Sequence, residues 1–357
     1  MATSSLIFMK PQAYTEFQPL EDVLVGRGYN IEFFESLDIP FTPKTKRLMT
    51  YLLDETEEDI QNLANTLTTL GVTVRRPSFN AYKTGHGHHL AGAYLMTPRD
   101  DQIVIDNKLV MGQYHTSLGK GFATCLEDYK DHFLPDPVFK NIACASIIRL
   151  GEDIIVDSNE FASTEKHVER LKKYFEPLGY NIIFTKTHNF KFKNDLSHAD
   201  SIFAILKPGL IIHAKEDSHY SENIFKGWDF IKVENEERST QNLAFRTFRR
   251  KREKFQIECS YAFEDSVYDD NKWFDFLDTW FTSLMGYSKE TYFDINCLVV
   301  DEENVIVNTY SKKFFKQLEQ NKINPILVPF RHRLFWDGGT HCITLDLKRK
   351  GSREKYL

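Results

Sequence analysis

The sequence has few cysteines, and they lie far apart. There are five in 357 residues, an odd number without a CxxC pair, at positions 125, 144, 259, 297 and 342. This spacing argues against a disulfide framework and against a structural zinc site, and it is usual in proteins of a reducing compartment. We therefore expect a cytoplasmic protein that holds no structural metal ion.

Long apolar runs and a strong net charge are also missing. No stretch approaches the roughly 18 apolar residues that suggest a transmembrane helix. The N-terminal MATSSLIFMKPQAYTEF lacks the basic start and the long apolar segment of a signal peptide. The 45 Lys and Arg residues nearly balance the 51 Asp and Glu residues, which leaves a net charge of −6. We therefore expect neither nucleic acid nor a membrane as a partner.

What the sequence does contain is a repeat of an apolar strand, a short polar turn and a second apolar strand. Short turns between β-branched flanks are typical of β-hairpins. The four copies are QIVI-DN-KLVM at 102–111, SIIRL-GED-IIVD at 146–157, SIFAIL-KPG-LIIH at 201–213 and CLVV-DEEN-VIVN at 297–308.

A helix and a further strand follow several of these hairpins. In 163–187, apolar residues at helical spacing end at Gly179 and lead into an apolar strand; 311–330 and 59–77 show the same order. The unit is thus ββαβ, used about five times if the two chain ends, 21–27 and 341–349, pair as the missing hairpin. Radial repetition of such units gives a propeller. We predict one α/β domain over residues 1–357, folded as a five-bladed α/β propeller around a pseudo-fivefold axis.

Chemically reactive side chains stand where the hairpins begin. Asp100 opens the first hairpin, His198 and Asp200 open the third, and Cys342 opens the last strand. Equivalent positions of propeller units converge near the axis, so these four side chains should share a pocket. A thiolate, an imidazole that moves protons and carboxylates that hold a cation suit covalent attack on a cationic carbon. Two simpler interpretations stay open: Cys342 as an apolar core residue, and the two aspartates as turn caps.

The stretch around Cys342, WDGGTHCITLDL at 336–347, sets the thiol between two glycines and a strand. Alternation of apolar and polar residues from Ile343 predicts a half-buried strand. Gly338 and Gly339 are expected to let the backbone turn sharply before it. We therefore expect Cys342 at an exposed strand end.

The sequence resembles the amidinotransferases of the guanidino-group modifying superfamily, such as glycine amidinotransferase. The resemblance runs from residue 18 to residue 357 in the family's order. It implies the five-bladed α/β propeller called the pentein fold. The motifs that carry it are QPLEDVLVGR, GVTVRRP, TPRD, SHADSIFAILKPGLII, GGTHCITLDL and KRKGSREKYL.

The resemblance also implies a mechanism that needs no metal or organic cofactor. Cys342 would attack the guanidinium carbon of a donor such as arginine and carry its amidino group as a covalent thiol intermediate. His198 would protonate the departing amine and then deprotonate the acceptor amine. Asp100 and Asp200 would bind the guanidinium nitrogens. We predict further substrate-binding residues beside these and at the family's donor-binding positions: Arg99, Ser146, Lys289, Glu290 and His341.

The sequence departs from the family at charged positions of the donor site. Where the family has two carboxylates three residues apart, one of which orients the histidine, this chain has Ala143 and Ser146 in NIACASII. The family's serine pair falls at Lys289 and Glu290, and its arginine has no clear counterpart near Lys215. These changes suggest a donor other than arginine or an altered electrophile. Asp157 or Glu160 is a doubtful replacement for the missing carboxylates, because both are expected at the far end of the hairpin.

An insertion at about 234–288 separates the chain from ordinary family members. It contains the basic run RTFRRKREK at 246–254, which is either a solvated surface or a docking patch for an acidic carrier protein. We expect a homodimeric, cytoplasmic transferase acting on small molecules in secondary metabolite biosynthesis. The alternatives are a hydrolase of the arginine deiminase or dihydrolase type, acyl transfer from an ester or carrier-bound substrate, and a non-catalytic binding protein.

Overall fold

The computed structural model describes ten segments of the chain. They are residues 10–35, 43–77, 96–111, 125–134, 144–157, 165–185, 198–214, 222–233, 295–332 and 338–357. The insertion at 234–288, the run 246–254, Ala143, Glu160, Lys289 and Glu290 lie outside the described residues.

The described strands form five sheets of three strands each, and in every sheet the middle strand has one antiparallel and one parallel neighbour. The sheet orders are β15-β1-β2, β3-β4-β5, β6-β7-β8, β9-β10-β11 and β12-β13-β14. The strands are β1 Leu20–Val25, β2 Thr73–Arg75, β3 Gln102–Ile105, β4 Lys108–Met111, β5 Phe133–Leu134, β6 Ile147–Leu150, β7 Asp153–Asp157, β8 Asn181–Thr185, β9 Phe203–Lys207, β10 Leu210–Ala214, β11 Asp229–Val233, β12 Leu298–Val299, β13 Asn304–Val307, β14 Asn324–Leu327 and β15 Thr344–Arg349.

All four predicted hairpins are confirmed. Each of the pairs β3/β4, β6/β7, β9/β10 and β12/β13 is antiparallel and closes over a short turn. The predicted pairing of the chain ends is confirmed as well, because β1 and β15 run antiparallel with Val25 opposite Thr344. One sheet thus joins the start of the described chain to its end.

Helices lie between the second and third strands of three sheets, as the ββαβ unit requires. The α-helices are α1 Ile31–Glu35, α2 Pro43–Thr69, α3 Pro98–Asp101, α4 Glu165–Phe175 and α5 Lys312–Gln320. Helices α2, α4 and α5 carry the predicted helix-to-strand order into β2, β8 and β14. After α4 the chain reverses at Gly179, whose φ of 83° is in the left-handed region that favours glycine.

The hairpin strands β3, β6 and β7 are buried on both faces. In the β6/β7 pair, Ile148 and Ile155 belong to one apolar cluster while their neighbours Ile147 and Val156 belong to another. This follows from the two-residue period of a strand, which sends successive side chains to opposite faces. Across the described segments, none of the helices combines the length and apolar character needed to cross a membrane.

Candidate active site

Cys342 lies in the turn that leads into β15, and the turn is buried. The cysteine side chain is only 4 % exposed, so the expectation of an exposed strand end was wrong. Neither glycine of the turn has a left-handed φ, and the expected sharp glycine turn is therefore not the reason for the two glycines. Their role is space: a Cβ on Gly339 would lie 2.6 Å from the carbonyl oxygen of Asn296, and one on Gly338 would lie 3.4 Å from the Cys342 sulfur.

Within the described segments, two side chains form hydrogen bonds with the sulfur. The Cys342 thiol donates to Asp200 Oδ2 at 3.3 Å, and Asn296 Nδ2 donates to the sulfur at 3.0 Å. Asp200 lies in a short 3-10 helix, residues 199–201, directly before β9, and Asn296 lies just before β12. Two other sheets of the fold therefore bring polar groups to the thiol through the residues that precede their first strands.

Asp200 is held by an imidazole on its other side. His341 Nδ1 lies 2.9 Å from Asp200 Oδ2, and His341 Nε2 lies 3.5 Å from the carboxylate of Glu16. Burial alone would raise the pKa of Asp200, but the hydrogen bond and charge of His341, with His198 and Arg99, lower it below its ordinary value. Asp200 is therefore a buried carboxylate that stays ionised.

This environment opposes ionisation of the thiol. Burial, followed by the nearby carboxylates of Asp200 and Asp100, raises the pKa of Cys342 well above its ordinary value, and the hydrogen bond from Asn296 acts in the opposite direction. In the free protein the sulfur is accordingly a thiol at neutral pH. A positive charge placed between the carboxylates would remove the largest electrostatic cause of this shift.

The predicted His198 and Asp100 lie next to each other at the edge of the same region. His198 Nδ1 is 3.5 Å from Asp100 Oδ1, and both side chains are about a quarter exposed, 26 % and 23 %. Thr97 Oγ1 donates to the second oxygen of Asp100 at 2.8 Å. The pair is thus the more accessible part of the site, and the thiol is the more buried part.

The segments that precede the five sheets contact one another in a continuous series. Helix α3 contacts the 3-10 helix Cys144–Ser146, which contacts the 3-10 helix Ala199–Ser201. Asn296 Nδ2 donates to the carbonyl of Asp200, and Arg99 Nε donates to the carbonyl of His341. The convergence predicted for Asp100, His198, Asp200 and Cys342 is therefore seen in the contacts of the described residues.

A buried cluster of charged side chains contacts the turn through Arg99, which donates to the carbonyl of His341. Arg99, Arg149 and Arg349 all bind the carboxylate of Asp346, at 2.7, 2.6 and 2.8 Å, and Arg149 also binds Glu16 at 2.7 Å. We call these five residues the arginine cluster. The Arg99 guanidinium points into this cluster, so its predicted contact with substrate stays a prediction.

Ser146 lies where the resemblance implies a carboxylate. Its side chain is buried, and its Oγ has no hydrogen-bond partner among the described residues. In the β6/β7 hairpin Ile147 pairs with Val156, so Ser146 and the buried Asp157 are the next residues at the open end of the hairpin. Asp157 and Ser146 therefore lie at the same end of the hairpin, and Asp157 is nearer to the position of the missing carboxylate than the sequence suggested.

Sequence reasoning missed Asn296 and Glu16. The rule that selected Asp100 and Asp200 was that they precede a hairpin, and Asn296 precedes the fourth hairpin in the same way. Applied to all four hairpins, the rule would have found it. Glu16 precedes β1 by several residues, and nothing in its local sequence distinguishes it from a surface acid.

Among the described residues, this region contains a small cavity and no metal-binding cluster. These residues contain no group of three or more His, Cys, Asp or Glu side chains placed to hold a metal ion. A narrow cavity beside Glu16, Asp200 and His341 is otherwise lined by apolar side chains and has space for about one water molecule.

Comparisons with known proteins find amidinotransferases among the relatives of this chain. No family model matches the chain. The chain is 23 % identical to the L-arginine:L-lysine amidinotransferase of Pseudomonas savastanoi pv. phaseolicola, over 97 % of this chain and 96 % of that protein. It is 22 % identical to the mitochondrial glycine amidinotransferase of Xenopus tropicalis, over 97 % and 84 %. The chain is an amidinotransferase-like enzyme.

Solved structures show the fold that this amidinotransferase-like enzyme shares. It superposes on SxtG, an amidinotransferase of the saxitoxin pathway of Microseira wollei, with a TM-score of 0.65 and 18 % identity, over 97 % of this chain and 99 % of that one. It also superposes on a dimethylarginine dimethylaminohydrolase, with a TM-score of 0.53 and 12 % identity, over 91 % and 99 %. Because a transferase and a hydrolase share it, the fold does not by itself choose between the two reactions.

Proposed function

We propose that this enzyme moves an amidino group from a cationic guanidino donor to the amine of a small acceptor, with Cys342 as the nucleophile. The observation that carries the proposal is a buried thiol with two carboxylates nearby, Asp100 and Asp200, both of which raise its pKa. Asp100 Oδ1 and Asp200 Oδ1 are buried and accept no hydrogen bond from the described residues. A planar cation with several N–H donors satisfies such acceptors.

The same carboxylates couple donor binding to activation of the thiol. They raise the pKa of Cys342 while the site is empty, and a bound guanidinium compensates their charge. The thiol then loses its proton in the presence of the donor, and the sulfur attacks only when the electrophilic carbon is in place. A neutral electrophile would not have this effect, which is why we favour a cation over an acyl ester.

The proposed reaction has two half-reactions. The Cys342 thiol gives its proton to His198, its sulfur bonds to the guanidinium carbon, the bond from that carbon to the donor amine breaks, and His198 passes the proton to the departing amine. The acceptor amine then bonds to the same carbon and loses a proton to His198, the carbon–sulfur bond breaks, and His198 returns that proton to the sulfur to restore the thiol. Asp100 Oδ1 lies 3.5 Å from His198 Nδ1, so the carboxylate that binds the guanidinium also orients the imidazole, which is the role of one of the family's two carboxylates absent here.

We also propose that the five sheets close into a single propeller domain with the insertion at 234–288 added to it. The series of contacts from α3 through 144–146, 199–201 and Asn296 to the Cys342 turn supports this arrangement. The solved amidinotransferases that match over most of their length support it further.

The acceptor is proposed to be a small amine of specialised metabolism. One structural relative acts in the saxitoxin pathway, and another is the inosamine-phosphate amidinotransferase StrB1 from Streptomyces griseus, with a TM-score of 0.62. Ser146 in place of a carboxylate favours a donor other than free arginine. The homodimer, the acidic carrier protein at 246–254, and the substrate contacts of Lys289, Glu290 and His341 stay predictions.

The test is intact-protein mass spectrometry with a panel of guanidino donors, first without any acceptor. A transferase should gain the mass of one amidino group at Cys342 and lose it when the right amine is added. Cys342→Ala should gain nothing and keep the wild-type circular dichroism. Steady product release without an amine would show a hydrolase instead, and absence of an adduct with every donor, together with undiminished activity in Cys342→Ala, would refute the proposal.

A further inference from the structure

We propose that Asn296 is a positioning residue that orients the Cys342 sulfur and stabilises its thiolate. The inference deepens the proposed function and rests on the proposed role of Cys342 as nucleophile. Asn296 is 1 % exposed, and its amide bonds to both ends of the cysteine residue: Oδ1 accepts from the Cys342 N–H at 3.0 Å, and Nδ2 donates to the sulfur at 3.0 Å.

The orientation of the amide is determined by its neighbours. Oδ1 accepts a second hydrogen bond, from the Gly339 N–H at 2.9 Å. A flipped amide would set its NH₂ group against two backbone N–H donors, so the oxygen must face them. Nδ2 therefore faces the sulfur, and its second proton points to the carbonyl of Asp200 at 3.3 Å.

The two contacts of the sulfur differ in what they do when the proton leaves. The thiol donates to Asp200, so that contact turns into a repulsion between two anions once the thiolate forms. The contact with Asn296 becomes stronger, because a hydrogen bond to a charged acceptor exceeds one to a neutral acceptor. Among the described contacts of the sulfur, Asn296 is thus the group that favours the reactive form.

The amide is also placed rigidly enough to aim the sulfur. The Asn296 carbonyl accepts hydrogen bonds from Thr340 Oγ1 at 3.2 Å and from the His341 N–H at 3.4 Å. Gly339 allows this close approach, since a Cβ there would lie 2.8 Å from Asn296 Oδ1. Asn296 therefore binds the whole turn from Gly339 to Cys342, and the sulfur sits at a defined place relative to Asp200.

The experiment measures the alkylation of Cys342 by iodoacetamide as a function of pH, followed by peptide mass mapping so that the other cysteines do not interfere. Asn296→Asp keeps the acceptor for the two N–H groups and replaces the donor with an anion. We expect the midpoint of its profile to rise by at least about one pH unit, with alkylation at pH 8 roughly tenfold slower. Asn296→Ala, which adds no charge, should shift the midpoint in the same direction by less.

Asn321→Asp is the matched control. Asn321 follows helix α5 and its Nδ2 donates to the carbonyl of Gln317 at 2.9 Å, so the same chemical change removes a donor and costs stability away from the thiol. Its alkylation profile should match that of the wild type. Alkylation needs no donor substrate, so the two proposals can fail separately. If the midpoint shifts but no donor gives an amidino adduct, Asn296 still orients the thiol and only the proposed reaction is refuted.

The inference is overturned if folded Asn296→Asp and Asn296→Ala keep the wild-type midpoint, whether or not amidino transfer is found. Circular dichroism shows which variants are folded. If Asn296→Asp does not fold, the profile of Asn296→Ala decides.

Discussion

Replacement of Asp346 by asparagine should destabilise the protein strongly, although it exchanges only one side-chain oxygen for an NH₂ group. Asp346 is fully buried and accepts hydrogen bonds from Arg99, Arg149 and Arg349. The arginine cluster holds three guanidinium groups and two carboxylates, those of Asp346 and Glu16. Asp346→Asn would leave three buried cations with one carboxylate in contact, and the new NH₂ group would face an arginine.

The expected cost follows from breaking a buried ion pair on one side. Removal of one partner typically costs about 3–5 kcal/mol, because the other charge stays buried without compensation. Asp346 compensates three cations and not one, so we expect a loss at the upper end, about 5 kcal/mol. That loss is a large share of the usual free energy of unfolding of a protein, which is roughly 5–15 kcal/mol. Urea unfolding followed by tryptophan fluorescence would give the midpoint and slope for both proteins.

The pH dependence of the difference has a definite sign. Burial would raise the pKa of Asp346, but the charges of Arg349, Arg99 and Arg149 outweigh it and hold the pKa well below its ordinary value of 3.8. A carboxyl group with a depressed pKa stabilises the fold above its unfolded-state pKa and loses this contribution as the pH falls through the folded-state value. The gap between wild type and Asp346→Asn should therefore stay constant from pH 7 to about pH 5 and begin to shrink only below about pH 4.

Asp153→Asn is the matched control for this prediction. Asp153 is also buried, but it accepts from the neutral amide of Asn181 at 2.7 Å, and burial raises its pKa. Its replacement should cost less than about 1 kcal/mol at pH 7. A loss in Asp346→Asn no larger than that of Asp153→Asn would refute the reasoning, since it would mean that the three arginines find other acceptors.

Three further predictions concern the thiol and its surroundings. Asp200→Asn should weaken binding of a cationic donor at least about tenfold yet speed alkylation of Cys342 by a neutral reagent, because it removes a carboxylate that raises the thiol pKa; a change of both in the same direction would contradict this. Gly339→Ala should lower kcat/KM about 100-fold with the fold retained in circular dichroism, because its Cβ would lie 2.6 Å from the Asn296 carbonyl oxygen, and wild-type kinetics would show that the turn adapts. The double replacement Ala143→Asp and Ser146→Asp should lower the free energy of unfolding by roughly several kcal/mol and slow the native reaction. A clear gain in arginine-dependent amidino transfer, measured by product mass, would instead show an ordinary arginine site.

The sequence by itself determined the strands, their pairing into hairpins and the partnership of the two chain ends. Hairpin turns such as KPG at 207–209 are local signals, and the alternation of apolar residues in each strand follows from burial, so both are readable without a structure. The rule that residues before a hairpin converge also found Asp100, His198, Asp200 and Cys342. Its incomplete use, and not a lack of signal, missed Asn296.

Only the tertiary structure decided what each of these residues touches. The thiol lies against Asp200 and Asn296, and His198 lies against Asp100. These five residues come from four segments that are far apart in the chain, since only His198 and Asp200 are neighbours in sequence. Gly339 allows the close approach of Asn296, and Gly338 lies against Cys342 itself. Asp157 lies at the same end of its hairpin as Ser146, because Ile147 pairs with Val156. Such facts depend on distances between groups that share no local sequence, and the pKa of the thiol depends on those distances in turn. A local pattern specifies conformation, whereas electrostatics and contact are set by the packing of the whole chain.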